Sequence, residues 1–169
     1  MRNSQTLTDF NIHIDGVGFA GVANKLVVPA IAFETIERDV SGMAGSYDSM
    51  TGRLKKMDSE IEVDTFTAEN IWPIVGGNDS KETPVVFRGS LKDGGRDIAL
   101  KILLQGNWVE WGGHDFEVKK EIKNKFKISL TKLAIYSDNK EIVYINLPTW
   151  DIRLGGTQQG KSIKANLGL

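Results

Sequence analysis

The chain has 169 residues, 40% hydrophobic and 25% charged, with 21 Lys plus Arg against 22 Asp plus Glu. That length suits a single domain, 1–169, with a sizeable core, and the composition indicates neither a disordered chain nor a membrane protein. A net charge of −1 argues against a surface built to grip phosphates, and the absence of cysteine excludes disulfides, Cys-ligated zinc, iron–sulfur clusters and thiol catalysis.

The opening decapeptide MRNSQTLTDF has no apolar run, so no secretory signal is read there. The longest apolar stretch, Leu26 to Phe33, is interrupted by Pro29 and is far short of the ~20 residues of a membrane span. The chain is therefore expected to be made and kept in the cytoplasm unless lysis or a machine moves it.

In chain order the pattern is mostly strand. Asn11 to Ile14 alternates polar and apolar residues, Asp15-Gly16 supplies a turn, and Val17 to Val22 returns, which predicts a hairpin. Leu26 to Val40 reads as a longer extended segment. Ser41 to Thr51, glycine-bearing and polar, reads as a loop, with mixed charge continuing to Asp58. Glu60 to Asp64 alternates with period two and places Glu60, Glu62 and Asp64 on one face, with Ile61 and Val63 on the other.

A short helix is predicted after Thr67 as N-cap, through Ala68 to Trp72, limited by Pro73 and ended by Gly76-Gly77. Pro84 to Leu91 is a strand, closed by the turn Lys92 to Gly95. Arg96 to Leu104 is another, with apolar character continuing through Trp108, Val109 and Trp111 to the Gly112-Gly113 break. In the next strand Phe126, Ile128 and Leu130 share a face, whereas Leu133 and Ile135 have the opposite parity. That phase slip predicts a bulge or a strand whose burial changes side. Ser137 to Lys140 turns into Glu141 to Leu147, the last clear strand.

The segment Gly155-Gly156-Thr157-Gln158-Gln159-Gly160-Lys161-Ser162 matches the phosphate-binding P-loop pattern in full. A P-loop opens a helix inside a parallel sheet, and too little chain follows Ser162 for that context. The segment reads as a glycine-rich C-terminal turn. The carboxylates Glu60, Glu62 and Asp64 lie at a spacing glycosidases use, about 7 Å, but nothing in the pattern separates their pKa values, and an exposed acidic face has the same signature. His13 and His114 each neighbour an aspartate without a nucleophile or third metal ligand. Lys119 to Lys127 is locally basic with one aromatic residue, which suits a solvated hairpin or a charge-complementary protein contact better than a nucleic-acid site. Asn78-Asp79-Ser80 is a formal glycosylation sequon, irrelevant without secretion. No catalytic, metal or cofactor set emerges, so an enzyme is not expected.

The order of motifs does carry a resemblance. Gln5-Thr6-Leu7-Thr8-Asp9-Phe10-Asn11, Ile14-Asp15-Gly16-Val17-Gly18-Phe19-Ala20-Gly21, Leu26 to Pro29, Ser41-Gly42-Met43, Phe87-Arg88-Gly89-Ser90 and Leu167-Gly168-Leu169 occur in sequence along nearly the whole chain. Together they resemble the major tail tube proteins of P2-like contractile phage tails, whose relatives include the tube proteins of R-type pyocins and other contractile bacteriocins. The stretches Gly106 to Lys120 and Gln158 to Asn166 depart from the pattern.

The resemblance implies a mainly β, sandwich- or barrel-like subunit with one short flanking helix, its inner strands joining a closed barrel in a hexameric ring. Rings would stack into a hollow tube, surrounded by sheath and bounded by baseplate and tail-terminator proteins. In a headed phage DNA would pass through it. Synthesis would be in the bacterial host cytoplasm, with assembly into a virion tail or released tail-like particle. About 24 strands at ~4.8 Å, tilted by ~45°, give a backbone diameter of roughly 50 Å. The other architecture compatible with the pattern is a non-enzymatic β-sandwich binding module.

Two surfaces are nominated. Gly42, Met43, Tyr47 and Met50 are expected in a loop that contacts neighbouring subunits. Glu60, Glu62 and Asp64 are expected to face the lumen, because a conduit for DNA should not attract it. Glu34, Glu37 and Asp39 are the alternative acidic row, and the Glu60 row has as its own alternatives the outer surface or a contact with Lys55, Lys56 or Lys119 to Lys127.

Overall fold

The computed structural model describes residues 3–19, 21–67, 69, 71–77 and 82–169. The chain builds one large antiparallel sheet from strands linked by tight turns. β1 (Gln5–Ile14) turns at Asp15-Gly16 into β2 (Val17–Gly18). β7 (Val85–Asp93), β8 (Arg96–Trp111), β9 (Asn124–Ser137), β10 (Lys140–Asn146), β11 (Asp151–Leu154) and β12 (Thr157–Gln158) give the order β12-β11-β10-β9-β8-β7-β1-β2. The hairpin turns at Asp15-Gly16 (φ 50°, 79°), Gly94-Gly95 (58°, 113°), Asp138-Asn139 (46°, 62°) and Gly155-Gly156 (62°, 83°) all use left-handed backbone. Two consecutive positive φ angles match the right-handed twist of the flanking strands, and Gly, Asn and Asp adopt them at least cost.

A row of directly opposed apolar side chains crosses this sheet. Ile14 opposes Val85, Val85 opposes Leu104, Leu104 opposes Leu133, Leu133 opposes Ile145, and Ile145 opposes Ile152. All six are buried. Each directly opposed pair excludes water for both strands, so the row fixes register across six strands at once.

The expected phase slip is a bulge, and it decides the architecture. Gln105 pairs with Lys132 and Gly106 with Leu130, leaving Thr131 as the extra residue of β9. Ahead of the bulge Phe126, Ile128 and Leu130 are buried; beyond it burial passes to Leu133. The bulge also changes β9's partner on its far edge. Residues 124–129 pair with β6 (Asp58–Val63), and residues 132–137 pair with β10. β3 (Ala23–Val27) continues outward from β6. Phe126 and Ile128 of β9, Ile61 and Val63 of β6, Trp108 and Met57 thus join the same core as the apolar row. At the bulge the backbones nearly touch: a methyl group built on Gly106 would lie 2.1 Å from the Ser129 carbonyl oxygen.

Several expectations change. The helix after Thr67 is not formed among the described residues. Glu69 and residues 71–76 make turns, with Ile74 N donating to Ile71 O and Gly77 N to Ile74 O; Ala68 and Asn70 lie outside the described residues. Pro73 has no N–H to continue a helix and crowds the preceding turn. Ile71 is instead fully buried, and Trp72 Nε1 donates to Phe66 O at 2.8 Å. The one α-helix among the described residues, α1, is C-terminal (Lys161–Asn166), in the segment of the P-loop-like motif. Leu26 to Val40 is not one strand but β3 and β4 (Phe33–Arg38), broken around Pro29. The expected loop ends early, because β5 (Tyr47–Leu54) pairs with β4 as a separate two-stranded hairpin. The sequon falls outside the described residues. The described strands of one chain end at β2, β3 and β12 and do not close into a barrel.

Candidate assembly surfaces

The β4–β5 hairpin stands apart from the main sheet. Its base is tied in by Phe33 opposite Leu54 and by Lys55 N donating to Ala32 O at 2.7 Å, with Phe33 and Leu54 half-buried against the core. Past an irregularity at Thr51 to Arg53 it resumes with Thr35 opposite Met50 and runs to Arg38 opposite Tyr47. Here lie the residues nominated from sequence. Gly42 (φ 89°) turns the tip, and Met43, Tyr47 and Met50 are 54%, 46% and 63% exposed. Ile36 and Val40, which the sequence reading passed over, are also exposed. Two-faced alternation through a strand was the signal that would have found Ile36. Exposed apolar residues on both faces of a projecting hairpin form a contact surface that no described strand covers.

A second open feature is an edge. β1 pairs with β7 along its length, but on its other side β2 reaches only His13 and Ile14. Phe19 N donates to Ile12 O, and among the described strands none covers Gln5 to Asn11. A long unpaired edge is a template for another strand.

The acidic row lies where its period placed it, with Ile61 and Val63 fully buried on the reverse face, but it is not a plain acidic face. Glu62 opposes Lys25 of β3 and Lys125 of β9, and Glu60 opposes Lys127. Glu62 is itself buried, accepts a hydrogen bond from Asn24 Nδ2 at 2.8 Å and lies 4.0 Å from Lys123 Nζ. Asp58 lies 3.7 Å from Lys127 Nζ. Asp64 is exposed just past the strand. The basic run and the acidic row are therefore two sides of one cross-strand arrangement within the subunit. Lys119, with φ 67°, and Lys120, paired with Glu117, stay in the preceding loop.

The remaining motifs are structural. Gly155-Gly156 is the β11–β12 turn and Gly160 (φ 64°) leads into a six-residue helix, so no strand–loop–long helix unit exists to cradle phosphate. His13 sits 3.5 Å from Asn11 Nδ2, and His114 meets Phe116 edge-on. Among the described residues no group of His, Asp and Glu is arranged to hold a metal ion. Trp111 and Phe126 pack with Trp72, and buried Asn124 accepts from Trp111 Nε1 at 3.2 Å while donating to Thr65 O at 2.6 Å.

Near the C-terminus charges form a network. Arg153 donates to both Glu141 oxygens, at 3.0 and 3.3 Å, and lies 4.2 Å over the Tyr144 ring. Asp151 accepts from Lys164 of α1 and, at 2.6 Å, from Thr149 Oγ1. The Lys164 hydrogen bond first, then Thr149, holds the Asp151 carboxyl below its ordinary pKa, and Glu141 raises that of Arg153.

The described residues form an antiparallel β subunit with an uncovered edge and a projecting apolar hairpin, two surfaces of the kind that meet other chains. Comparison with known proteins agrees. The sequence profile of the family described as phage tail tube protein FII matches residues 4–168, and the chain belongs to that family. The tail tube protein of Escherichia phage P2 is 22% identical over 172 residues, covering all of both chains. A chain in the cryo-electron microscopy structure of an extracellular contractile injection system, the PVC sheath/tube terminator in its extended state, shares the fold. It superposes with a TM-score of 0.54 at 12% identity, over 76% of this chain and 94% of that one. The protein is a tail tube structural protein and not an enzyme.

Proposed function

We propose that this chain is a single tail tube domain, the repeating subunit of the inner tube of a contractile phage tail or phage-tail-like bacteriocin. Hexameric rings stack head to tail, and a contracting sheath drives the tube through the target envelope. Its partners are copies of itself, the sheath, and the baseplate and terminator proteins at the tube ends; in a headed phage, DNA passes through. The host cytoplasm is the place of synthesis and the tail the place of assembly.

The observation that carries this reading is the β4–β5 hairpin. Ile36, Val40, Met43, Tyr47 and Met50 are exposed on an arm that no other described strand flanks. Each of these side chains is already about half covered, so burying the remainder against the next ring gains about 1 kcal/mol apiece. In the ring, the uncovered β1 edge pairs with a strand of the neighbouring subunit, which removes a liability a lone subunit carries.

The lumen wall is assigned to the face of Glu60, Glu62 and Asp64. Support comes from its interleaved lysines: a face of alternating sign offers duplex DNA no net attraction along the bore. Removing tip residues 41–45 tests the assembly reading. Folded subunits that no longer form tubes support it. Normal tubes from that deletion contradict it.

A further inference from the structure

α1 has little reason to be helical by itself. It spans six residues, has no side-chain N-cap bond and carries no acidic residue in its first turn. Isolated helices this short do not persist in water, so contacts elsewhere in the chain must hold it. Two are visible. Lys164 is anchored to Asp151 of β11, beside the Arg153–Glu141 pair. Ile163 points at Gly52 of the hairpin: a methyl group built on Gly52 would lie 2.6 Å from Ile163 Cδ1.

Gly52 occupies a particular place. It lies in the irregular stretch of β5, between Met50 opposite Thr35 and Leu54 opposite Phe33. Its φ is 88°, a conformation that disfavours any side chain. There the register of the hairpin ladder is interrupted, and Thr51 Oγ1, reaching Glu34 O at 3.3 Å, bridges the two strands. An interrupted ladder is a joint between the anchored base and the projecting arm. Beside it Arg53 and Leu54 share a cleft of about 150 Å³ with Leu147, Trp150 and Ile152.

We infer that α1 is a brace: Ile163, seated in the hollow left by Gly52 and held there by the Lys164–Asp151 anchor, sets the angle at which the β4–β5 arm leaves the subunit. Ile163 and Lys164 are positioning residues, and the C-terminal segment is coupled to the arm. The consequence for stacking rests on the arm being the inter-ring contact proposed above; the brace itself does not.

The absence of native cysteine makes the test direct. Spin labels on S41C at the arm tip and K101C in the main sheet report the arm's position in the full-length subunit, diluted to prevent assembly. The parent should give one narrow distance distribution. I163A, which deletes the contact, and K164M, which keeps the stem but removes the anchoring charge, should each broaden it roughly twofold with near-UV circular dichroism unchanged. Parent-like widths in both variants would overturn the brace. Broadened distributions together with a parent-like rate of tube growth would uphold the brace and overturn the arm as inter-ring contact.

Discussion

Glu37 of β4 stands directly opposite Asp48 of β5, two carboxylates facing each other across the exposed arm. Like charges in that position destabilise a strand pair. An arm built to stay in water would gain from losing one of them, whereas an arm that docks on a basic surface uses both. D48N should therefore raise the midpoint of arm ordering in the free subunit, followed by hydrogen exchange. The same change should slow tube growth at low salt. Faster or unchanged growth would mean that the pair does not face a cationic partner.

Gly106 should be among the least replaceable residues. The Ser129 carbonyl occupies the space its methyl group would need, and that carbonyl is backbone that cannot rotate away. G106A should cost about 1–3 kcal/mol or more in urea unfolding. G95A also meets a positive φ (113°) but no neighbouring atoms, and should cost less.

Much of this was legible in advance. The parity change between Leu130 and Leu133 announced the bulge, because period two admits no such change in a regular strand. The Asp-Gly, Gly-Gly and Asp-Asn turns announced the hairpins. The helix after Thr67 was misread because local capping chemistry agreed, while Pro73, without an N–H to continue a helix, goes with turns at residues 71–76. β11, β12 and α1 are too short to show a period. At the acidic row the alternation was right, but its electrostatic meaning lay in Lys25, Lys125 and Lys127, which only strand pairing brings alongside.

That pairing changes what charge reversal should do. E62K would bury a lysine among Lys25, Lys123 and Lys125 and leave Asn24 Nδ2 without its acceptor, so it should destabilise the subunit by about 3 kcal/mol or more. D64K, at an exposed position, should leave the unfolding midpoint within about 0.5 kcal/mol of the parent. If Asp64 lines the bore, tubes of D64K should form and retain duplex DNA at low salt. Equal stability of the two variants would contradict the burial of Glu62.

The Asp151–Lys164 anchor should respond to acid. Its carboxyl titrates below the ordinary aspartate value of about 3.9 in the folded subunit. A lowered folded-state pKa contributes stability that is complete above the ordinary value and disappears as pH falls through the lowered one. Thr149, the other hydrogen-bond partner of Asp151, does not titrate. Amide protection of residues 164–167 should hold from neutral pH to about pH 4 and fall below it. D151N should show weaker protection at neutral pH and no acid step.

Cryo-electron microscopy of the purified, self-assembled protein tests the central claim most directly. The account predicts hollow tubes of stacked hexameric rings, with each β4–β5 arm buried against the adjoining ring and each β1 edge paired within its own ring. Particles that remain monomeric at high concentration and varied salt, or rings whose arms stay in solvent, would contradict it.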